Sequence, residues 1–176
     1  FRNIILLVNM NKIITVLIII FLTSFAYADE NMKIGSKGNL SEVTRVIKVI
    51  MYDNYYEPSS FKIKAGETIK FEVKNAGKLV HEFNIANKMM HMKHQPEMEM
   101  MVENEILFAD FIDYDKMKKM AKIDKSMGHS HNNSVLLEPN QKADIIWKFD
   151  NAINIEIACN VPGHYQAGMI AKVNIN

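Results

Sequence analysis

The side chains with the most chemistry to offer lie on one short stretch near the C-terminus, Cys159-Asn160-Val161-Pro162-Gly163-His164-Tyr165-Gln166-Ala167-Gly168-Met169. It carries a thiol, an imidazole and a thioether between two runs of strand-like alternation. A second imidazole, His81, stands in an earlier apolar row. Two His and one Cys in a trigonal arrangement, with a weak axial Met, are the donor set of a blue-copper electron-transfer site. Thiolate sulfur suits cuprous ion and bonds covalently to cupric ion, imidazole tolerates both states, and a thioether tunes the balance between them. Taken singly, each residue has a plainer reading. His81 is then a hydrogen-bonded structural histidine, Cys159 a small buried hydrophobe and Met169 core filler. Zinc is the chemical rival for one Cys and two His, but it takes four strong ligands or a water, and a thioether serves it poorly. The joint pattern, C-x4-H-x4-M between two strands plus an upstream strand His, favours copper held by His81, Cys159, His164 and Met169.

A second group of donors sits between the two β-rich blocks. Residues 87–131 hold nine of the thirteen Met and four of the six His. Thioethers bind soft cuprous ion and imidazoles bind either oxidation state, so Met89, His91, Met92, His94, His129 and His131 are candidates for a secondary copper site. Met98, Met100 and Met101 are further candidates. The plainer reading, Met as adaptable core packing, suits Met117 and Met120 best.

The elements that must position these donors read mostly as short strands. Residues 45–52 are rich in Val, Ile and Met, and residues 61–64 end at an Ala65-Gly66 turn. In residues 68–74, Ile69, Phe71 and Val73 share one face while Lys70, Glu72 and Lys74 share the other, the pattern of a half-buried antiparallel strand. After the Asn75-Ala76-Gly77 turn, Leu79, His81, Phe83 and Ile85 share a face opposite Val80, Glu82 and Asn84. Residues 134–137 and 143–149 flank Glu138-Pro139-Asn140, Ile153, Ile155 and Ile157 alternate with Asn154 and Glu156, and Met169, Ala171, Val173 and Ile175 line one face of the last strand. Seven or eight strands with such punctuation predict an all-β fold, an antiparallel Greek-key β-sandwich. The Met/His-rich insertion at 87–131 lacks this alternation and is expected to be partly helical. Pro96 opens one helix running to Leu107, and Phe111, Tyr114, Met117 and Met120 mark another within residues 110–123.

Composition narrows the class. The 176 residues carry 21 Lys+Arg against 20 Asp+Glu and are 48% hydrophobic, which excludes a disordered polyelectrolyte. No basic patch argues for nucleic acid. One Cys excludes an internal disulfide framework. From Met10 the chain reads Asn11-Lys12, an apolar run over residues 13–25, then Ala26-Tyr27-Ala28 before Asp29-Glu30, the form of a cleavable secretory signal. Its removal would take Arg2 and Lys12 and no acid, leaving a formal charge of −1. Residues 1–9 are expected to be an upstream extension of the reading frame, residues 29–42 a flexible leader, and residues 43–176 the folded domain. A lone thiol in an oxidising compartment is open to oxidation, and a bound metal would protect it.

The ligand loop C-x4-H-x4-M, with Pro162-Gly163 inside it, resembles that of the cupredoxins or blue copper proteins. It is similar to auracyanin-like members and to bacterial exported cupredoxin-like copper proteins. His81-Glu82-Phe83 and the Met-rich insertion that follows are similar to the second group. The resemblance covers roughly residues 43–176 and implies one type 1 copper at the loop end of a Greek-key sandwich. One position departs from the azurin and plastocyanin pattern, in which Asn often follows the first His ligand. Glu82 stands here, and a carboxylate cannot donate the hydrogen bond that an amide could.

The expected function is that of an exported, periplasmic copper-binding monomer serving copper homeostasis or tolerance, not an enzyme. Its partners are copper ions and a redox protein, with membrane contact only through an uncleaved signal segment. The alternatives are a diffusible one-electron carrier to respiratory redox partners and a metal-free β-sandwich that binds another protein. Multicopper oxidases and two-domain copper nitrite reductases need more length and more histidines than this chain has, and hydrolase, phosphate-loop and zinc-protease motifs are absent.

Overall fold

The computed structural model describes residues 34–176 except 151 and 153. The expected export segment and upstream extension, residues 29–33 of the expected leader, and Ile153 all lie outside them. Ten strands among the described residues form two sheets: β1 (Ser36–Lys37), β2 (Arg45–Tyr52), β3 (Tyr55–Glu57), β4 (Ser60–Ile63), β5 (Thr68–Asn75), β6 (His81–Asn87), β7 (Ser134–Leu137), β8 (Lys142–Lys148), β9 (Ile155–Ala158) and β10 (Ile170–Ile175). One sheet runs β1-β8-β5-β2-β3 and the other β4-β10-β9-β6-β7. Alternation explains how they face each other. Ile69, Phe71 and Val73 of β5 are buried, as are Ile145 and Trp147 of β8, and they meet Phe83, Ile85 and Ile157 from the opposite sheet. Phe71 sits at the centre, with ring centroids 5.3 Å from Phe83, 5.8 Å from Phe61 and 6.2 Å from Phe149.

The sandwich is mixed rather than antiparallel throughout. β2 pairs with β5 in parallel, Val49 opposite Val73, and β10 pairs with β4 in parallel, Val173 opposite Phe61. The chain leaves the first sheet after β3, contributes β4 to the second, and returns in β5 alongside β2. Period-two alternation is the same in either pairing direction, so it could not distinguish them.

The leader also differs from expectation. Ile34 is buried, its carbonyl accepts the Trp147 indole N–H at 2.7 Å, and β1 pairs antiparallel with β8. Ser36–Lys37 is therefore an edge strand, and Leu40–Glu42 a 3-10 turn, in a stretch expected to be a flexible leader.

The insertion at 87–131 holds two helices, α1 (Lys88–Glu103) and α2 (Tyr114–Met120), and a short 3-10 turn, Lys125–Gly128. α1 starts eight residues before Pro96, because the Asn87 side chain accepts the Met90 N–H at 2.9 Å and caps the helix there. Pro96 lies inside it. The carbonyl that loses its partner, on Met92, belongs to an exposed residue that water can reach. α2 begins at Tyr114 with Asp113 as its cap, while an isolated bridge between Leu107 and Ile112 occupies the stretch expected to be its first turn. α1 packs over β6 and β9. Every residue of β6 is consequently buried, including Glu82 and Asn84 on what alternation marks as the outward face.

Candidate metal centre

Three of the expected donors converge at one end of the second sheet. His81 opens β6, Cys159 follows β9, and His164 comes from the β9–β10 loop. The two Nδ1 atoms are 3.2 Å apart, and Cys159 Sγ is 3.4 Å from His164 Nδ1 and 4.0 Å from His81 Nδ1. An ion with bonds of about 2.0 Å to nitrogen and about 2.3 Å to sulfur, in a trigonal plane, needs donor edges of roughly 3.5–3.7 Å. The three observed edges, 3.2, 3.4 and 4.0 Å, lie within about 0.3 Å of those values. Met169, in the same loop, is fully buried, and its backbone is hydrogen-bonded to both Cys159 and His164.

Backbone bonds wind the loop into shape. His164 N donates to Val161 O, Met169 N to His164 O at 3.0 Å, and Cys159 N to Met169 O at 3.2 Å. Gly163 and Gly168 take φ of 87° and 92°, a region in which a side chain is strained. Glycine at these two places lets the loop fold back so that residue 169 returns to residue 159. The Glu82 N–H donates to Cys159 Sγ at 3.3 Å and further fixes the sulfur.

Ionisation in the metal-free protein follows from burial. Desolvation pushes the Cys159 thiol up to about 12, despite the hydrogen bond from the Glu82 N–H, so a metal must displace a proton to bind there. Burial lowers His81, with the Asp53 carboxylate opposing it, and burial followed by the His81 charge lowers His164. Both imidazoles are thus neutral near pH 7, the form that ligates. His81 Nε2, on the far side of its ring, lies 3.0 Å from Asp53 Oδ1.

A second cluster gathers behind Glu82. Its Oε1 lies 3.1 Å from His94 Nε2 and 2.8 Å from His129 Nε2, and its Oε2 accepts Asn160 Nδ2 at 2.6 Å. His131 packs edge-on against both rings, and ligand atoms of His94, His129 and His131 all fall within 4.8 Å of one another. Burial raises the Glu82 pKa, but the two histidines outweigh it and hold the carboxyl well below its usual range. Burial pushes His94 down, while Glu82 and then Glu97 raise it to about 9 overall. A carboxylate and a proton on imidazole neutralise each other here, and a metal ion could stand in for that proton.

The structure groups the insertion's donors differently from their spacing. His94, His129 and His131 come together. His91 does not join them, being fully buried with Nδ1 3.1 Å from Asn160 Nδ2 and Nε2 3.5 Å from the Glu156 carbonyl. Met89 and Met92 are exposed on α1. Met98, Met101 and Met127 belong to the hydrophobic core, with Met117 and Met120 packed at its edge. Two contributors, Asp53 and Asn160, escaped the sequence reading. Neither stands in a motif, since Asp53 meets His81 across 28 residues and Asn160 merely follows Cys159 in the chain. Glu82 was noticed for what it cannot donate, whereas its carboxylate matters as an acceptor.

Known proteins resemble this chain in sequence and in fold. A model of the cupredoxin-like domain matches residues 13–110. The copper-resistant cuproprotein CopI of Pseudomonas aeruginosa is 38% identical over 147 residues, covering 80% of this chain and 81% of that one. CopI of Rubrivivax gelatinosus is 27% identical, covering 82% and 74%. Among solved structures, auracyanin B aligns with a TM-score of 0.56 at 12% identity over 81% of this chain and 96% of its own. Dithionite-reduced auracyanin from Roseiflexus castenholzii aligns at 0.52 and 17% over 76% and 97%. These two show likeness of fold.

Proposed function

Since this chain belongs to the cupredoxin-like family, we propose that it is an exported copper-binding protein of copper homeostasis or tolerance, with a type 1 copper held by His81, Cys159, His164 and Met169. The observation that carries the proposal is the approach of the chain's one thiol to two neutral imidazoles at edges of 3.2–4.0 Å. The bound copper would supply one-electron chemistry. The protein's part is to hold the thiolate with the Glu82 N–H, keep both imidazoles unprotonated, and limit rearrangement by tying the loop to a rigid sheet. On this reading the protein binds copper and turns over no substrate.

His94, His129 and His131 form the proposed secondary copper site, with Glu82 supplying negative charge behind them. The names of the curated relatives, copper-resistant cuproproteins, support a role in tolerance. Titration with cuprous and cupric ions tests it: two coppers are expected, falling to one when His94, His129 and His131 are replaced by Ala. A stoichiometry of one in the unaltered protein removes the secondary site and leaves simple type 1 binding.

An electron-carrier role draws support from one feature. His164 is only half-buried, and Pro162, Gly163, Gln166, Ala167 and Gly168 around it are exposed, so the loop offers a short route for electrons to a docked partner. Rapid reversible voltammetry with reduction of a respiratory partner is expected, and a copper that exchanges electrons with no such partner argues against it.

A further inference from the structure

We infer that Asp53 is a positioning residue for the proposed type 1 copper, fixing the tautomer of His81 and holding the site toward the oxidised state. The inference rests on the type 1 reading of His81, Cys159 and His164 and names a residue that lies outside the ligand pattern.

Asp53 lies in the turn between β2 and β3, on the sheet that does not carry the ligands. Its Oδ1 accepts the N–H groups of Lys78 and Leu79 at 2.9 and 3.3 Å and meets His81 Nε2 at 3.0 Å. The side chain of His81 is fully buried, while that of Asp53 is 36% exposed. An ionised carboxylate only accepts, so the single N–H of the neutral imidazole must sit on Nε2. The lone pair then stands on Nδ1, the atom that faces Cys159 and His164. The carboxylate also makes the imidazole a stronger donor. It brings a net negative charge one ring away from the metal position. Both effects favour the cupric over the cuprous ion.

Gly77 is the second part of the device. A Cβ at this position would lie 2.9 Å from His81 Nε2 and still closer to Asp53 Oδ1. Only a residue without a side chain lets the carboxylate and the imidazole meet across this turn.

The plainer role for Asp53 is to pin the turn through Lys78 and Leu79. Asp53→Asn separates the two, because the amide oxygen can still accept those N–H groups and the Nε2 proton while the charge is gone. The copper-loaded full chain is measured by voltammetry, optical absorption and copper stoichiometry. Asp53→Asn should retain one strongly absorbing copper, with the ratio of cupric to cuprous affinity reduced about tenfold, a rise of about 59 mV in a one-electron potential. Gly77→Ala, which leaves Asp53 in place but crowds it off Nε2, should shift the potential in the same direction. Should the Asn variant not fold, the Ala variant decides. An unchanged or lowered potential in the folded variants overturns the inference and leaves Asp53 a turn residue. A wild-type protein that stays colourless after copper loading overturns the type 1 reading itself, which is a separate outcome.

Discussion

Cys159 is the residue on which the proposed chemistry turns, because it would supply both the covalent bond to copper and the electronic coupling. Cys159→Ala should abolish the intense visible absorption expected from thiolate-to-copper charge transfer, and persistence of that band would refute the assignment. It is also the measurement that separates a copper protein from a β-sandwich with an inert buried thiol. Met169 plays a different part. On the proposed ligand set, its replacement by Leu would remove a weak donor that favours the oxidised ion, so copper should stay bound while the reduction potential rises. Loss of the metal would show that Met169 does more than tune. Glu82 illustrates how one residue serves two clusters, its N–H turned to the Cys159 sulfur and its carboxylate to His94 and His129.

At the scale of elements, α1 makes the difference between an ordinary sandwich and this one. By covering β6 it buries Glu82 and brings His94 over it, and the 3-10 turn Lys125–Gly128 delivers His129 from the other side, with His129 itself at φ 42°. The start of α1 depends on the Asn87 cap. Asn87→Ala should lower the free energy of unfolding by about 1 kcal/mol, read in denaturant melts. The visible spectrum of the copper-loaded form should be unchanged, since the proposed type 1 donors lie on β6 and the β9–β10 loop. Loss of the spectrum would mean that the helix supports the first site as well as the second.

For the molecule as a whole, the buried pair of Glu82 and His94 ties stability to pH in the metal-free state. Glu82 has its pKa lowered in the fold, so its contribution is present above its ordinary value of 4.5 and is lost as pH falls. His94 has its pKa raised from 6.5 to about 9, so its contribution is complete below 6.5 and is lost as pH rises through 9. Burial lowers the pKa of His81, His91, His131 and His164, so each adds stability as pH rises toward 6.5, and thermal unfolding of the metal-free protein should be most resistant near pH 6.5, with both limbs falling away. A flat profile from pH 6.5 to 9.5 would contradict the His94 ion pair. Copper should stabilise the fold by mass action, about 2.7 kcal/mol at a hundredfold excess over Kd and roughly 5–10 °C in melting temperature for a domain this size. The increment should shrink in acid, where protons compete for the thiolate and imidazoles.

Much of this was legible in the residues alone. Cys159, His164 and Met169 share one loop, so their spacing defines their proximity, and the alternation around Ile69, Phe71 and Val73 marks strands wherever they pair. The parallel registers of β2 with β5 and β10 with β4, the capture of β1 by Trp147, and the regrouping of His94 with His129 and His131 depended on the packed chain. So did the Asp53 contact with His81, made across 28 residues and between two sheets. Local periodicity reports which side of an element is apolar. It carries no information about which distant surface covers that side, and the burial of Glu82, with all that follows from its charge, was decided there.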